Sequence, residues 1–308
     1  MLLNILNDIW TFLSGEKVFP AVISAITTVI VFFLTLITKR YVDTRILSSK
    51  LETEHKFDQR KKIKEVLAKY KVHLLTACED MNYRLWNFSS NHSKNWIDVK
   101  GDYKQEDYFF HSTVYRLLCV FAWIKKINKE MIYLDTTIAT KEDLYFIKFL
   151  RAFPNIFCDL TFIVGPNADG SYAIDHFFRI NFDLLPDSIM SNNEINSYSE
   201  YKKSLPTIYN QIEELYRYID GISPTEMRMR WDRLHLFHLT LITFLNCYGY
   251  DFQQTSDKKI KEVLTIPKTS KYLKNYFTFL AEYRLDKNKE VKRLRKLSKK
   301  YFCSNDKT

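Results

Sequence analysis

The sequence predicts a mainly α-helical protein with one N-terminal transmembrane helix, a helical stalk and a large helical cytoplasmic domain. Its composition favours helices, because the 308 residues include 6 Gly and 7 Pro against 20 Tyr and 23 Phe, whereas sheet folds need many turn residues. A long apolar segment near the N-terminus, followed by apolar residues at every third or fourth position, completes the prediction. A small β-hairpin near residues 155–186 is the one sheet expected.

Charge and motif content narrow the functional classes. A formal net charge of +10 predicts an anionic partner, such as a nucleic acid, a nucleotide or lipid headgroups. The scattered glycines form no phosphate-binding or dinucleotide fingerprint, so no cofactor is predicted. The cysteines are far apart and form no C-x-x-C pair, which argues against a disulfide framework and a metal site; they are Cys78, Cys119, Cys158, Cys247 and Cys303.

Residues 18–38 form the predicted transmembrane helix. They are 21 consecutive uncharged residues, and at about 1.5 Å per residue such a helix crosses a hydrocarbon core of roughly 30 Å. A cleaved signal peptide is not predicted, because Asp8 and Glu16 offset Lys17 ahead of the apolar run. Residues 1–17 place apolar side chains at helical spacing, which fits an interfacial helix and equally fits a frayed terminus.

The charges that follow the span set its predicted orientation. Lys39, Arg40, Arg45 and Lys50 come directly after it, with Asp43 as the single acidic residue among them. Since basic residues accumulate on the cytoplasmic side, we expect a single-pass protein of the inner (cytoplasmic) membrane whose C-terminal domain is cytoplasmic.

One face of the predicted span carries hydroxyl groups. At about 100° per residue, five side chains fall within an arc of about 100°; they are Ser24, Thr27, Thr28, Thr35 and Thr38. This sorting favours a helix–helix seam or a water-filled pore in a homo-oligomer, a tetramer or larger, because one helix cannot enclose a channel. The alternative is that the hydroxyls bond to carbonyl oxygens of their own helix.

Residues 39–100 are predicted to form a stalk and the first cytoplasmic helix. No Gly or Pro occurs between Pro20 and Gly101, so nothing in the sequence ends the spanning helix at the membrane surface. From Ile63 to Leu85 apolar residues are spaced by three and four, and this face is expected to pack on the domain or on a sister subunit.

Residues 101–308 are predicted to form a helical sensor or binding domain. Its helices are expected at 105–129, 142–153 (ended by Pro154), 207–219, 224–249 (opened by a capping box, Ser223 with Glu226) and 268–300, with an exposed loop near 190–205. The apolar stretch 234–250 is interpreted as a buried core helix, and a second membrane crossing is the alternative.

The C-terminal helix ends in a basic segment around a narrow apolar stripe. This pattern is typical of a helix that binds a membrane surface, a partner or nucleic acid. Its candidate contact residues are Lys292, Arg293, Arg295 and Lys296. A solvated terminal helix fits the same pattern.

Two clusters combine guanidinium groups with aromatic rings. The first contains Tyr83, Arg84 and Trp86, and the second contains Tyr115 and Arg116. Because guanidinium groups hold phosphates and aromatic rings stack on bases, these five residues are predicted to bind a ligand. Core packing of the same rings is the alternative in a protein that is 16% aromatic.

A third cluster contains three arginines followed by two histidines: Arg228, Arg230, Arg233, His235 and His238. Their spacing matches R-x4-6-H and resembles the motif of the HEPN ribonucleases, which implies that a histidine acts on the ribose 2′-hydroxyl while an arginine stabilises the phosphate. The sequence departs from that motif, because Trp231 and Leu234 follow arginines where the family has polar residues. The arginines are ligand-binding candidates, and no catalytic residue is assigned.

The overall plan is similar to that of membrane effectors of bacterial anti-phage defence systems, such as the channel-forming subunits of Hailong systems. One N-terminal span, a basic helical domain and a sequence without enzyme motifs carry this resemblance. It implies an oligomeric ion channel whose cytoplasmic domain binds a single-stranded oligonucleotide or a nucleotide. A membrane-tethered interaction or scaffold protein without a pore is the alternative, and a HEPN-like, metal-independent ribonuclease is the third hypothesis.

Overall fold

The computed structural model describes residues 2–13, 15, 19–104, 107–132, 134–162, 175–192, 194–226, 228–268 and 270–305. The mainly α prediction is confirmed, since helices account for most of these residues and one two-stranded sheet accompanies them. The chain divides into two compact units, Met1–Arg60 and Lys61–Thr308. The helical residues after Lys61 contribute to the core of the second unit.

The first unit consists of helix α1 (Leu2–Leu13) and the N-terminal part of helix α2 (Phe19–Asn91). Pro20 lies in the first turn of α2, where its missing N–H removes no helical hydrogen bond. No break follows at the predicted end of the span, as expected from a stretch without Gly or Pro. Within the described part of the chain, α2 is the one helix long and apolar enough to cross a membrane.

The second unit packs the rest of the chain around one hydrophobic core. Its helices, besides the C-terminal part of α2, are α3 (Tyr108–Met131), α4 (Lys141–Cys158), α5 (Arg179–Leu184), α6 (Tyr198–Ile219), α7 (Arg230–Tyr248), α8 (Asp257–Leu264), α9 (Ser270–Glu282) and α10 (Lys289–Asn305). The predicted apolar face of α2 joins this core, because Ile63, Leu67, Leu74, Met81 and Leu85 are all buried. This face therefore packs on its own domain.

Helix α7 runs through the core of the second unit. Every residue from Arg230 to Leu245 is buried, and the helix packs against α4, α8, α9 and α10. The ring of Phe153 on α4 lies 5.8 Å from that of Phe237 and 5.4 Å from that of Phe244. The core-helix interpretation of this apolar stretch is therefore confirmed.

The small sheet is a β-hairpin formed by β1 (Met190–Ser191) and β2 (Glu194–Ile195). Its strands are antiparallel, and Met190 lies opposite Ile195. The hairpin begins a few residues after the predicted range 155–186, in a segment that was expected to be a loop. Strands of two residues are too short for the sequence pattern to indicate them. At the turn, Asn192 has a φ of 48°, a conformation that Asn tolerates.

Within the predicted hairpin range 155–186, most of the described residues are helical. Phe153 and Phe157 are one turn apart, so the same face of α4 buries both rings. α4 therefore continues through Pro154, where the sequence predicted its end, since burial of these rings offsets the hydrogen bond that proline removes. Residues 163–174, which contain the predicted turn, lie outside the described residues.

Helix α6 begins nine residues earlier than predicted. Ser197 and Glu200 form a capping box in which the Ser197 Oγ accepts from the Glu200 N–H at 3.3 Å and the Glu200 carboxylate accepts from the Ser197 N–H at 2.7 Å. This cap starts the helix at Tyr198, and the helix then continues through Pro206. The polar segment expected to be a loop is thus partly helical.

Two more predicted helices have different ends. The capping residues predicted at Ser223 do not open α7, which begins only at Arg230. The Glu226 carboxylate accepts from the Ser223 N–H and also binds the guanidinium of Arg230, so these residues close a turn before the helix. The predicted C-terminal helix 268–300 is two helices, α9 and α10. They are separated at Arg284, whose φ of 53° is incompatible with a continuous right-handed helix.

Candidate ligand-binding cleft

A cleft of about 390 Å³ lies between α2 and α3 and is also lined by β2 and the first turn of α6. Side chains one helical turn apart share a face, so each helix contributes a row of residues. The polar and aromatic residues of the lining include His73, Thr76 and Asp80 of α2, Tyr108, Ser112, Tyr115, Arg116 and Trp123 of α3, and Tyr198 of α6. We call this the α2–α3 cleft. Its volume lies within the usual range of small-molecule sites, about 300–1,000 Å³.

Arg116 supplies the accessible positive charge of the α2–α3 cleft. Its side chain is half-buried, and within the described residues its guanidinium makes no hydrogen bond and no ion pair. Asp80 is the carboxylate that interacts with it electrostatically, and partial burial raises the pKa of Asp80. Because a guanidinium carries five N–H donors in a fixed fork, Arg116 retains the capacity to hold a phosphate.

Arg84 lies behind the lining and brings a second guanidinium close to the first. Its Nη2 donates to the Ser112 Oγ at 2.7 Å, and its guanidinium lies 4.0 Å from the ring centroid of Phe109. Burial, and then repulsion from Arg116, lowers the pKa of Arg84 to about 10. Two neighbouring cations without a carboxylate ion pair stabilise any anion bound between them.

Aromatic rings form much of the remaining wall. Tyr198 contacts the rings of Tyr108 and Tyr115 at centroid distances of 5.9 and 5.3 Å. Trp123 stacks on His73 at 4.6 Å with an angle of 10° between the planes. Planar surfaces beside two guanidinium groups suit a ligand that joins a phosphate to a flat ring, such as a nucleotide.

The structure thus brings together three of the five residues from the two predicted clusters. Arg84, Tyr115 and Arg116 meet at the cleft, where the Tyr115 hydroxyl also donates to the carbonyl oxygen of Asn196 at 2.8 Å. Tyr83 and Trp86 do not line it. Tyr83 is 60% exposed, and the ring of Trp86 meets the edge of the buried His238 ring at 5.0 Å.

Two arginines of the third cluster are bound to protein groups. Arg228 pairs with the fully buried Asp175, with 2.6 Å between Nε and Oδ1. Arg230 pairs with Glu226, and its Nη1 closes the C-terminal end of α6 by donating to the carbonyl oxygens of Arg217, Tyr218 and Asp220 at 3.1, 2.6 and 2.8 Å. Both guanidinium groups therefore stabilise the fold, and that of Arg230 has little capacity left for a ligand.

Arg233 is buried completely and donates from Nη1 to the carbonyl oxygen of Ile156 at 2.6 Å. Its guanidinium also lies over the ring of Phe162, 5.3 Å from the centroid. It is a core residue in this structure and does not line the α2–α3 cleft.

The histidines that follow these arginines are also core residues. His235 bonds to the Ser89 hydroxyl at 2.9 Å and to the Trp231 carbonyl oxygen at 2.7 Å, while His238 bonds to Asn82 at 2.9 Å. Their exposures are 1% and 0%. Burial lowers the pKa of His235 to about 4, so its imidazole is neutral at pH 7. In this arrangement neither histidine reaches a solvent-borne RNA, which a HEPN-like mechanism needs.

The basic C-terminal segment lies on α10 with its apolar stripe turned inwards. Val291, Leu294 and Leu297 are buried, and α10 packs against α7 and α8, so the stripe is not available to a membrane or partner. Arg293 forms ion pairs with Asp257 and Glu290. The other three candidate residues of this helix are exposed; they are Lys292, Arg295 and Lys296.

The hydroxyl face of the span is exposed in the single chain. Four of its threonines donate to the carbonyl oxygen four residues earlier: Thr27 to Ile23, Thr28 to Ser24, Thr35 to Val31 and Thr38 to Leu34, at 2.7 to 2.8 Å. Each hydroxyl oxygen keeps acceptor capacity after donating its proton. The hydroxyls thus bond to their own helix and still present oxygen atoms at its surface.

Sequence reasoning missed several residues of the cleft. Asp80 and Ser112 lie one turn before Arg84 and Arg116 on predicted helices, so the four-residue spacing was a usable signal. Tyr198 had none, since it lies in a segment expected to be a loop. Comparison of the whole chain with protein-family models, curated proteins and solved structures finds no match.

Proposed function

We propose that this protein is an oligomeric membrane effector, a ligand-gated pore whose helical domain binds an oligonucleotide or nucleotide signal in anti-phage defence. The single observation that carries it is the guanidinium of Arg116, without a hydrogen bond or ion pair in the described residues, beside buried Arg84 and a wall of tyrosines. A ligand that binds this cleft more tightly in one arrangement of the domains shifts the protein towards that arrangement.

The pore part of the proposal rests on α2. This helix is long and apolar enough to span a bilayer, and its predicted membrane segment carries the hydroxyl face from Ser24 to Thr38. Several copies arranged with this face inwards would line a polar axis with threonine oxygen atoms while the apolar face contacts lipid. In the proposed orientation the basic residues after the span, and hence the ligand-binding domain, lie on the cytoplasmic side of the inner membrane.

A membrane-tethered binding protein without a pore is the second candidate. It is favoured by the hydrogen bonds from Thr27, Thr28, Thr35 and Thr38 to their own helix, because a lone span in lipid satisfies its hydroxyls in this way. In that case the cleft binds the same class of ligand, and the span only localises it.

Ion flux from reconstituted vesicles distinguishes the two candidates. Full-length protein is incorporated into dye-loaded liposomes, and leakage is followed with and without a short single-stranded oligonucleotide. A pore gives ligand-dependent flux, and replacing Thr28 and Thr35 together by Val changes its rate or ion preference. The matched control is Val29→Thr with Leu36→Thr on the opposite part of the helix, which we expect to leave flux unchanged. Absence of flux under every condition rejects the pore.

Replacing the span tests the tether. If residues 18–38 are exchanged for an unrelated poly-leucine helix, a tethered binding protein keeps its cellular activity while a pore loses it. Light scattering in detergent complements this experiment, since a monomer is incompatible with a pore formed by one helix per chain.

A further inference from the structure

A second and larger cavity, of about 560 Å³, lies on the second unit away from the α2–α3 cleft lining. It is formed by α2, the first turn of α4, the C-terminal end of α7 and the residues that precede and begin α10. Lysines from each of three segments meet there: Lys71 of α2, Lys141 of α4, and Lys287 and Lys289 at the start of α10. We call this the four-lysine cavity.

The lysines of the four-lysine cavity have few protein partners. Within the described residues none of the four forms an ion pair or a side-chain hydrogen bond, and Lys71 contacts only the ring of Tyr248, 5.8 Å from its centroid. Glu142 and Glu290 also line the cavity, and Glu290 is paired with Arg293 at 2.8 Å. Four ammonium groups against two carboxylates give the cavity an excess of positive charge.

Asn288 provides an unused donor inside the cavity. It is 8% exposed, and its Oδ1 caps α10 by accepting from the backbone N–H groups of Glu290 and Val291 at 2.9 and 3.3 Å. Its Nδ2 donates to no acceptor in the described part of the chain, although Asn288 lines the cavity. The Nδ2 group is therefore free to donate to an acceptor bound in the cavity.

The geometry points to a binding site for a compact anion that carries two or more phosphate groups. Its oxygen atoms would accept from Asn288 Nδ2 while the lysines neutralise its charge, and Tyr145 and Tyr248 provide flat walls for a ring attached to the phosphates. The two cavities share no lining residue, so this inference does not depend on the proposed function.

The test is a titration of the full-length protein, held in phosphatidylcholine nanodiscs, with sodium tripolyphosphate by isothermal calorimetry. We expect saturable binding that weakens as salt rises from about 50 to about 200 mM, since counterions screen the lysines. Lys287→Gln with Lys289→Gln should weaken it by about thirtyfold, because each removed charge at a few ångströms is worth about fivefold in affinity, or about 1 kcal/mol in water.

The Asn288→Asp variant distinguishes an effect on ligand binding from an effect on folding. Aspartate is as good a helix N-cap as asparagine, so α10 stays capped, while the donor is replaced by a carboxylate that repels the anion. We expect an unchanged melting temperature and lost binding. The matched control is Lys258→Gln with Lys261→Gln, two exposed lysines of α8 outside the cavity, which alters net charge equally and should leave affinity within twofold.

Two results overturn the site: no saturable binding to the unaltered protein at low salt, or equal loss of affinity in the α8 control pair. The source of the phosphates is resolved by repeating the titration in nanodiscs that contain phosphatidylinositol bisphosphate. If the site binds a lipid headgroup, the added lipid competes with tripolyphosphate and lowers its apparent affinity. If the site binds a free polyphosphate, that affinity is unchanged.

Discussion

The arginines at and just before the start of α7 and those of the α2–α3 cleft have similar sequence surroundings and opposite structural roles. Arg228 and Arg230 contact buried or half-buried carboxylates, and Arg230 also closes the end of α6. Arg116 forms no hydrogen bond or ion pair with a carboxylate or carbonyl among the described residues, and Arg84 donates to the hydroxyl of Ser112 rather than to a carboxylate. In both places aromatic rings lie next to guanidinium groups.

The difference shows that a guanidinium is available to a ligand only when the protein leaves its donors unused. Acceptors from α6 and Glu226 consume the donors of Arg230, and Asp175 binds Nε of Arg228. Arg233 keeps two nitrogen atoms without a partner in the described part of the chain, but both are buried and out of reach of a ligand. In the cleft, the facing residues of α2 and α3 supply hydroxyls and rings, which take up few of the N–H groups. Substitutions on α7 should therefore affect stability, and substitutions in the cleft should affect binding.

Arg230→Ala is expected to give the largest effect. It removes the guanidinium that pairs with Glu226 and that donates to three carbonyl oxygens at the C-terminal end of α6 and its cap, and loss of one partner of a buried pair costs about 3 to 5 kcal/mol. Thermal unfolding in detergent, followed by circular dichroism, should show a lower midpoint. Arg151→Ala, an exposed arginine of α4, serves as the control and should unfold like the unaltered protein. A normal midpoint for Arg230→Ala contradicts the structural role of α7.

Asp232 of α7 makes the free energy of unfolding depend on pH. Burial raises its pKa from 3.8 to about 6, although its Oδ1 accepts from the Lys268 N–H at 2.7 Å. A carboxyl whose pKa is higher in the folded state adds stability below its unfolded pKa, and this is lost as pH rises through the folded pKa. About two pKa units correspond to about 3 kcal/mol, lost between about pH 4 and pH 6.

Asp232→Asn tests this pH dependence, because the amide keeps an oxygen acceptor and does not ionise. The difference in unfolding midpoint between the variant and the unaltered protein should grow from pH 4 to pH 6 and then level off. A difference that is constant with pH shows that Asp232 does not titrate in this range.

Arg116→Ala tests the cleft side of the comparison. Hydrogen bonds to charged groups contribute about 1.5 to 3 kcal/mol, so affinity for a labelled single-stranded oligonucleotide should fall at least about tenfold. Fluorescence anisotropy measures the affinity, and the unfolding midpoint should change little because the side chain has no protein acceptor. Equal affinity for the variant, or an equal loss in Arg151→Ala, removes the cleft as the ligand site.

Asp80→Asn should have the smallest effect and the opposite sign. The carboxylate of Asp80 faces the same cleft as Arg116 and repels an anionic ligand. Removing one charge at several ångströms in a solvated site is worth about 1 kcal/mol, or about fivefold tighter binding. The same anisotropy measurement checks it, and weaker binding places the anion away from Asp80.

The elements that could be predicted are those whose signal lies within a few helical turns. The uninterrupted helix α2, the burial of α7 and the apolar faces of α2 and α10 follow from residues three and four positions apart. The end of α4 could not be predicted from Pro154, because contacts of Phe153 and Phe157 with α7 outweigh the local effect of proline. The first turns of α6 are a different case, because the Ser197–Glu200 capping box lies in the sequence and indicates a helix that begins at Tyr198.

The sequence alone determined that the chain is helical, that one apolar helix near the N-terminus is long enough to span a membrane, and that arginines lie beside aromatic residues. The tertiary structure decided which arginines bind protein acceptors, because those acceptors are far away in the sequence. Asp175 is 53 residues from Arg228, and Ile156 is 77 residues from Arg233. It also assembled the four-lysine cavity from Lys71, Lys141 and the start of α10. A charge pattern along the chain specifies the donors, whereas long-range packing specifies which acceptors reach them.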